Sequence, residues 1–79
     1  MEALIFAQIV EGKSVIEIAK KISEIQGVSE VLLISGQWDL MVRFSYETMD
    51  QLSNFVVSEL RKEEGVGKTD TTIVLSRVK

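Results

Sequence analysis

Residues 28–45 have the sequence VSEVLLISGQWDLMVRFS, in which two apolar segments flank a turn signal at Gly36-Gln37. The first segment extends from Val28 to Ser35, and the second extends roughly from Trp38 to Ser45. Short apolar segments that are rich in aliphatic residues and separated by a glycine-containing turn are typical of β-hairpins. We therefore predict that this stretch forms a pair of antiparallel strands.

The residues before the hairpin predict a strand followed by a helix. The segment from Ala3 to Val10 is apolar apart from Gln8, which favours a strand. Ser14-Val15-Ile16-Glu17 matches the capping box that begins many helices, and Gly27 lies where a helix commonly ends in a left-handed residue. The predicted inward stripe of this helix consists of Val15, Ile18, Ala19, Ile22 and Ile25.

The residues after the hairpin predict a second helix and a last strand. The helix is expected to begin near Thr48 and to stop at Gly65, and a loop at Gly67-Lys68 is expected to lead into a strand from Asp70 to Val78. The order β-α-β-β-α-β predicts an α+β ferredoxin-like sandwich, a four-stranded antiparallel sheet with two helices on one face. The predicted buried stripe of the second helix consists of Met49, Leu52, Phe55, Val56 and Leu60.

The composition narrows the classes of function. With 79 residues the chain is too short for two ordinary domains, so we expect a single domain over residues 1–79. The absence of cysteine and histidine excludes disulfides, thiolate sites and nearly every zinc site. It also removes the side chains of a hydrolytic triad or a thiolate mechanism. We therefore expect no metal, no cofactor and no enzymatic activity.

The charged residues argue against nucleic-acid and membrane binding. The net charge is −3, from 12 acidic and 9 basic residues, and the basic residues are scattered, whereas phosphate backbones attract dense basic patches. Glu2 stands where a signal peptide has its basic start, and no apolar run approaches the roughly 18–20 residues of a membrane span. We predict a soluble, cytoplasmic protein.

Gly12-Lys13-Ser14 resembles the end of a phosphate-binding loop. The full motif begins with a further glycine at the position where this sequence has Ala7. We therefore interpret these residues as a plain turn between a strand and a helix.

The predicted strands do not alternate between apolar and polar residues. Because both helices cover the same face of the sheet, unbroken apolar runs place hydrophobic side chains on the other face as well. Exposed apolar patches of this kind usually mark an interface, so we predict that a second copy packs its sheet against this one in an obligate or near-obligate dimer. The runs are Ala3–Ala7, Val31–Ile34, Leu40–Val42 and Ile73–Leu75.

The hairpin residues Gly36, Gln37, Trp38 and Asp39 form the candidate binding site. Glycine permits a turn whose free amides can receive a carboxylate, and Asp39 can accept an ammonium group, which together suit a zwitterionic amino acid. The alternative is that Gly36 only supplies a positive φ, Asp39 caps the turn and Trp38 packs. In the stretch Thr69-Asp70-Thr71-Thr72, the hydroxyl groups of Thr71 and Thr72 are further candidates for ligand contacts, although threonine is also ordinary in strands.

These features together resemble the RAM domain, the effector-binding and oligomerisation module of Lrp/AsnC (feast/famine) transcription regulators. The resemblance covers essentially the whole chain and is most specific in the hairpin Gly36-x-x-Asp39, where Gln37-Trp38 stands in place of the family's frequent Asp-Tyr. It implies a stand-alone module without the helix-turn-helix half. It also implies face-to-face dimers that assemble into rings, and an amino acid or similar small effector bound between subunits near Gly36, Gln37 and Asp39.

The resulting hypothesis is an amino-acid-responsive module that acts through its own assembly or by assembling with full-length Lrp/AsnC regulators. A purely structural oligomerisation subunit is one alternative, favoured if Trp38 fills the hairpin pocket. A small dimeric ferredoxin-like enzyme of the monooxygenase type is another. ACT-type regulatory domains share this topology but usually pair their sheets edge to edge, whereas the continuous apolar runs favour face-to-face pairing.

Overall fold

The computed structural model describes all 79 residues, and its elements follow the predicted order. The four strands form one antiparallel sheet, in which β1 and β3 are the central strands and β2 and β4 are the edges. The elements are β1 (Glu2–Ile9), α1 (Val15–Ser23), β2 (Val28–Leu33), β3 (Leu40–Ser45), α2 (Met49–Asn54), a π-helix (Phe55–Leu60) and β4 (Val66–Ile73).

Both helices pack on one face of the sheet, as the ferredoxin-like fold requires. Residues at alternate positions of the two central strands point toward the helices and are almost completely buried. The aromatic ring of Phe44 stacks on that of Phe55, with centroids 4.1 Å apart and planes 8° apart. The core contains Ala3, Ile5, Ala7, Leu40, Val42, Phe44 and Tyr46 from β1, β3 and the residue after β3, and Ile18, Ala19, Ile22, Leu52, Phe55 and Leu60 from the helices.

The N-terminal caps of the helices differ from the prediction. Ser14 Oγ accepts a hydrogen bond from the Glu17 N–H at 3.2 Å. In a complete capping box the Glu17 carboxylate would also accept a hydrogen bond from the Ser14 N–H, and this second bond is absent. The complete capping box lies at α2, where Thr48 Oγ1 accepts from the Gln51 N–H and Gln51 Oε1 accepts from the Thr48 N–H. The pattern Thr-x-x-Gln was present in the sequence as a signal for this cap.

The predicted buried stripe of the second helix is wrong at Met49, whose side chain is 56% exposed. Met49 is the first residue of α2, and its side chain remains largely in solvent. After Asn54 the chain continues as the π-helix, in which the Arg61 N–H donates to the carbonyl oxygen of Val56, five residues back. Neither helix is long and apolar enough to cross a membrane.

The predicted hairpin strands are too long at the turn. Strand β2 ends at Leu33 and β3 begins at Leu40, so the connection contains Trp38 and Asp39, which were assigned to β3. The Asp39 N–H still donates to the Ala7 carbonyl oxygen of β1.

The predicted bounds of the last strand are also wrong, because β4 spans Val66–Ile73 instead of Asp70–Val78. Val66 pairs with Ile9, and a register shift between Ala7 and Ile9 allows Gly67-Lys68, predicted as a loop, to lie within the strand. After Ile73 the strand β1 has almost no residues left to pair with, so residues 74–79 are not part of the sheet.

Candidate functional site: the Gly36 hairpin and the open sheet face

Gly36 lies at an exposed position of the hairpin connection and has a φ of +119°. A Cβ added there would have no atom within 4 Å, so no part of the chain covers this backbone. The N–H groups of Ser35 to Trp38 make no hydrogen bond within the chain. The hairpin therefore presents a run of backbone N–H groups that have no partner in the chain and are available to an anionic group such as a carboxylate.

Asp39 fastens the hairpin to the end of β1. Its N–H donates to the Ala7 carbonyl oxygen at 2.9 Å, and its own carbonyl oxygen accepts from the Ile34 N–H at 3.0 Å. Its carboxylate oxygen Oδ2 accepts from the partly buried Ile9 N–H at 2.7 Å. The other carboxylate oxygen makes no hydrogen bond in the chain, so Asp39 retains an acceptor for a cationic group.

Two residues of β1 support the hairpin and were missed by sequence reasoning. Gln8 donates from Nε2 to the carbonyl oxygen of Gln37 at 2.9 Å. Phe6 packs on Trp38, with ring centroids 6.3 Å apart at an angle of 42°. The signal that could have indicated Gln8 was its position as the one polar residue in the apolar run of β1.

The two threonines proposed as additional ligands lie on opposite faces of β4. Thr72 pairs with Leu4 and so lies on the open face, whereas Thr71 pairs with the buried Ile5 and lies on the helix face. Strand β1 separates both of them from the hairpin, because β4 and β3 flank β1 on opposite sides. Within one chain the structure therefore brings Gly36, Gln37, Trp38 and Asp39 together, but not Thr71 and Thr72.

The sheet face opposite the helices carries an apolar row and a charged row. Leu32, Met41 and Phe6 are aligned across β2, β3 and β1 by the strand register. Met41 is only 8% exposed although it lies outside the core cluster, so its neighbours on this face cover it. Leu32 is 43% exposed. We call Leu32, Met41, Phe6 and the adjacent Trp38 the apolar row.

The charged row of the open face surrounds Arg43. Arg43 Nε donates to Glu30 Oε1 at 3.1 Å, and Nη1 lies 3.4 Å from Glu2 Oε1. The hydrogen bond with Glu30 and the charges of the two carboxylates raise the pKa of Arg43. The open face is therefore half apolar, on the hairpin side, and half occupied by an ion-pair network.

A cavity lies at the other end of the sheet, away from the hairpin. It has a volume of about 550 Å³ and is open to solvent on one side. Two carboxylates, Glu47 and Glu59, contribute to its walls, and no lysine or arginine side chain does. We call it the Gly27 groove; its lining residues are Met1, Gln26, Gly27, Phe44, Ser45, Tyr46, Glu47, Gln51, Asn54 and Glu59.

A known protein family matches nearly the whole chain. A family model described as the Lrp/AsnC ligand binding domain matches residues 2–79. The chain belongs to this family. The Lrp/AsnC ligand-binding domain thus extends over nearly the whole chain, which confirms the resemblance noted in the sequence.

Curated proteins similar to this Lrp/AsnC domain include regulators and an enzyme. An uncharacterized HTH-type transcriptional regulator of Pyrococcus horikoshii is 36% identical over 63 residues, which are 80% of this chain and 42% of that protein. A homocitrate synthase of Saccharolobus islandicus is 31% identical over 78 residues, which are 99% of this chain and 17% of the synthase. The chain therefore spans less than half the length of these relatives.

Solved structures extend the likeness to the whole fold of the Lrp/AsnC domain. A hypothetical protein from Pyrococcus horikoshii is 26% identical with a TM-score of 0.86, over 98% of this chain and 92% of that one. A transcriptional regulator from Neisseria meningitidis in complex with L-Met is 24% identical with a TM-score of 0.90, over 99% of this chain and 51% of that one. The second likeness concerns the fold alone.

Proposed function

We propose that this Lrp/AsnC domain is a regulatory and oligomerisation module that binds an amino acid at the Gly36 hairpin. The observation that carries the proposal is the pair of complementary groups in the hairpin. Free N–H groups from Ser35 to Trp38 suit the ligand carboxylate, and the unused oxygen of Asp39 suits the ligand ammonium group. The complex of the Neisseria regulator with L-Met supports the same ligand class.

The ligand site is proposed to be completed by a second subunit. In a single chain the hairpin is exposed, and the cavity of about 550 Å³ lies elsewhere. Binding sites for small molecules usually bury most of the ligand surface, which an exposed hairpin cannot do alone. Thr71 and Thr72 remain candidate ligands in this arrangement because a partner subunit can bring its own β4 to the hairpin.

Self-association is proposed to begin at the apolar row on the open sheet face. A second copy that packs face to face would cover Leu32, Phe6 and Trp38, and dimers of this kind would then assemble into a ring. A bound amino acid would favour one assembly to the extent that it binds that assembly more tightly than the others.

The biological role that we propose is that of a stand-alone module in the cytoplasm, which acts by its own assembly or by joining full-length Lrp/AsnC regulators. A solved chain from Pyrococcus horikoshii with almost the same extent supports a module of this size. Neither helix belongs to a helix-turn-helix, because two strands separate them. The similarity to part of a homocitrate synthase is consistent with the same module serving as an attached regulatory domain, and we propose no catalysis for it.

A purely structural oligomerisation subunit is the second candidate function. Two contacts favour it: Trp38 packs on Phe6, and the Asp39 carboxylate accepts a hydrogen bond from the Ile9 N–H. Each contact gives the side chain a structural role that needs no ligand. In that case the hairpin would have no ligand.

Titration calorimetry with each standard amino acid distinguishes the two candidates. We expect at least one amino acid to bind, and we expect Asp39→Asn to weaken that binding by about tenfold or more because it removes a charge-assisted contact. Asp50→Asn, at an exposed position of α2, is the matched control and should bind as the wild type does. The absence of binding heat at millimolar concentrations of every amino acid would leave the structural subunit.

A further inference from the structure

The outer edge of β2 carries backbone groups that have no strand to pair with. Strand β2 lies beside β3 and has no neighbour on its other side. In an antiparallel pair, alternate residues direct their N–H and C=O groups toward the partner strand. The Ile34 N–H donates to the Asp39 carbonyl oxygen, so Ile34 and Leu32 direct their backbone groups toward β3. The backbone groups of Val31 and Leu33 therefore point away from the sheet.

The side chains along this edge are apolar and poorly covered. Leu33 is 54% exposed on the helix face, where it pairs with the buried Leu40, and Leu32 is 43% exposed on the open face. The sequence from Val31 to Trp38 contains no charged residue. Edge strands of soluble proteins usually carry charges, prolines or bulges that prevent pairing with another chain. This part of β2 lacks these features, so it is suited to accept another strand.

The opposite edge of the sheet is protected in the usual way. Strand β4 carries two charged residues, Lys68 and Asp70, together with Thr69, Thr71 and Thr72. Charged side chains on an edge strand disfavour pairing with a second chain. The difference between the two edges of one sheet indicates β2 as the edge that pairs.

The β2 edge is complementary to a second copy of itself. Two β2 strands can pair antiparallel around a two-fold axis at Leu32, which places Val31 opposite Leu33 of the second copy. These residues have outward backbone groups in both copies, so each such pair exchanges two N–H···O bonds. The two-fold axis repeats the pair, and the Leu32 side chains of the two copies lie opposite each other.

Charge does not oppose this contact between identical copies. Glu30 is the one charged residue of β2, and its carboxylate already accepts a hydrogen bond from Arg43 Nε at 3.1 Å. In the two-fold register Glu30 lies opposite Ile34 of the second copy, so the two Glu30 side chains stand at opposite ends of the paired segment. A second copy therefore matches this edge in backbone groups, apolar side chains and charge.

We propose that the β2 edges of two copies pair in this antiparallel register, so that the sheets of neighbouring dimers become continuous. The inference rests on the self-association proposed above, and it names the contact that joins dimers into a larger assembly. A segment this short buries far less than the roughly 800 Å² per partner of a stable specific interface. The edge contact therefore joins copies that already associate through the apolar row.

Cysteine cross-linking tests the register, because the chain has no native cysteine. Val31→Cys and Leu33→Cys variants are mixed under reducing conditions, left to exchange subunits and then oxidised. Opposite residues of this kind have Cα atoms about 5.5 Å apart, which suits a disulfide, so we expect a covalent dimer that contains one of each variant. Both side chains lie on the helix face, so packing of the open faces cannot produce this bond.

Two control mixtures share the Leu33→Cys variant. Oxidised alone, it has its two cysteines on a diagonal at about 7–8 Å, beyond the usual span of a disulfide. Mixed with Thr71→Cys, it meets a cysteine that is exposed on the same helix face but at the β4 edge. Both controls should give little cross-linked product. Equal yields in all three mixtures would overturn the β2 pairing.

Proline at position 33 tests the backbone bonds. Leu33→Pro removes an N–H that points away from the sheet, so the fold should tolerate it while a second β2 loses a donor. Thr71→Pro is the control, because it removes an outward N–H at the β4 edge. In sedimentation velocity we expect the wild type and Thr71→Pro to form assemblies larger than a dimer and Leu33→Pro to stop at the dimer. Leu33→Lys keeps the backbone donor, places a charge on the edge and should also stop at the dimer.

The sizes of the assemblies separate failure of the edge contact from failure of the proposed function. Assemblies whose size neither Leu33 variant alters would overturn the edge pairing and leave the open-face dimer and its ligand site standing. A wild type that is monomeric at about 0.1 mM, well above the dissociation constants of specific dimers, would overturn both. A wild-type dimer that both Leu33 variants convert to monomers would support the edge pairing and overturn the face-to-face dimer.

Discussion

Asp39 combines a structural and a proposed binding role in one carboxylate. Its oxygen Oδ2 satisfies the Ile9 N–H at the end of β1, while its second oxygen is free. An ionised acceptor makes stronger hydrogen bonds than a neutral one, so the bond at 2.7 Å holds the hairpin firmly to β1. The backbone donors that would bind a carboxylate are thus held in place before any ligand arrives, which lowers the cost of binding.

The structural role of Asp39 predicts a loss of stability when the carboxylate is removed. Asp39→Ala leaves the partly buried Ile9 N–H without a partner, which should lower the free energy of unfolding by about 1–3 kcal/mol. Asp39→Asn keeps an acceptor oxygen and should cost less. Urea unfolding at one fixed protein concentration measures both, with Glu11→Ala as the exposed control. Equal stability of Asp39→Ala and the control would show that the bond to Ile9 contributes nothing.

Two glycines with positive φ differ in what they contribute to the fold. A Cβ at Gly27 would lie 2.5 Å from Cε1 of Phe44, so the close approach of this turn to the core requires glycine. A Cβ at Gly36 would meet nothing within 4 Å. Packing therefore requires glycine at position 27, whereas at Gly36 the φ of +119° alone accounts for glycine.

At the level of elements, periodicity and cap signals predicted the order of the strands and helices, but not that the second helix continues as a π-helix from Phe55 to Leu60. They failed where tertiary contacts control the outcome. The bounds of β4 depend on a register shift opposite β1, which allows Gly67-Lys68 to lie within the strand. Met49 has helical spacing but lies at the first position of α2, where its side chain is exposed.

The candidate site was predictable from sequence only in its local part. The hairpin residues are neighbours in the chain, so their proximity followed from the turn itself. The contributions of Gln8 and Phe6 depend on β1 lying beside β3, which a local pattern does not reveal. The opposite orientations of Thr71 and Thr72 depend on register, because adjacent strand residues point to opposite faces.

The ion pair between Lys13 and Glu64 connects the turn before α1 to the turn before β4. Its 2.7 Å hydrogen bond, followed by the charge of Lys13, lowers the pKa of Glu64, and the same contact raises the pKa of Lys13. A lowered carboxyl pKa stabilises the fold above the pKa of the unfolded state, and this contribution disappears as the pH falls through the folded-state pKa. At alkaline pH, the contribution of this ion pair to stability disappears as the pH rises through the raised pKa of Lys13.

We therefore expect Glu64→Gln to lower the Tm slightly at neutral pH and low ionic strength. The difference from the wild type should shrink as the pH falls through the range in which carboxylates titrate. It should be small and sensitive to salt, because both side chains are exposed. Glu11→Gln is the control, since Glu11 is exposed and has no ion-pair partner. A difference that stays constant from neutral to acid pH would show that the charge of Glu64 is not its cause.

For the whole molecule, the unbroken apolar runs overstated the apolar character of the open face. Leu75 lies beyond the sheet, and Arg43, Glu30 and Glu2 occupy one half of the face. What remains is the apolar row, which is close to the hairpin. In an interface centred on the apolar row, Arg43 and its two carboxylate partners would lie at the polar rim. Interfaces between subunits commonly have an apolar centre and a polar rim of this kind.

The apolar row leads to a prediction about the assembly. Leu32 is 43% exposed, so Leu32→Glu should leave the single chain folded, whereas a face-to-face dimer would have to bury the new carboxylate without a partner. We expect the dissociation constant of the dimer to rise by about 100-fold or more, as measured by sedimentation velocity over a series of concentrations. Ile16→Glu introduces the same charge at a 56% exposed position of α1, on the helix side of the sheet, and should dimerise like the wild type. If Ile16→Glu disrupts the dimer and Leu32→Glu does not, the copies associate through their helices, and the hairpin must then complete its site by a different contact.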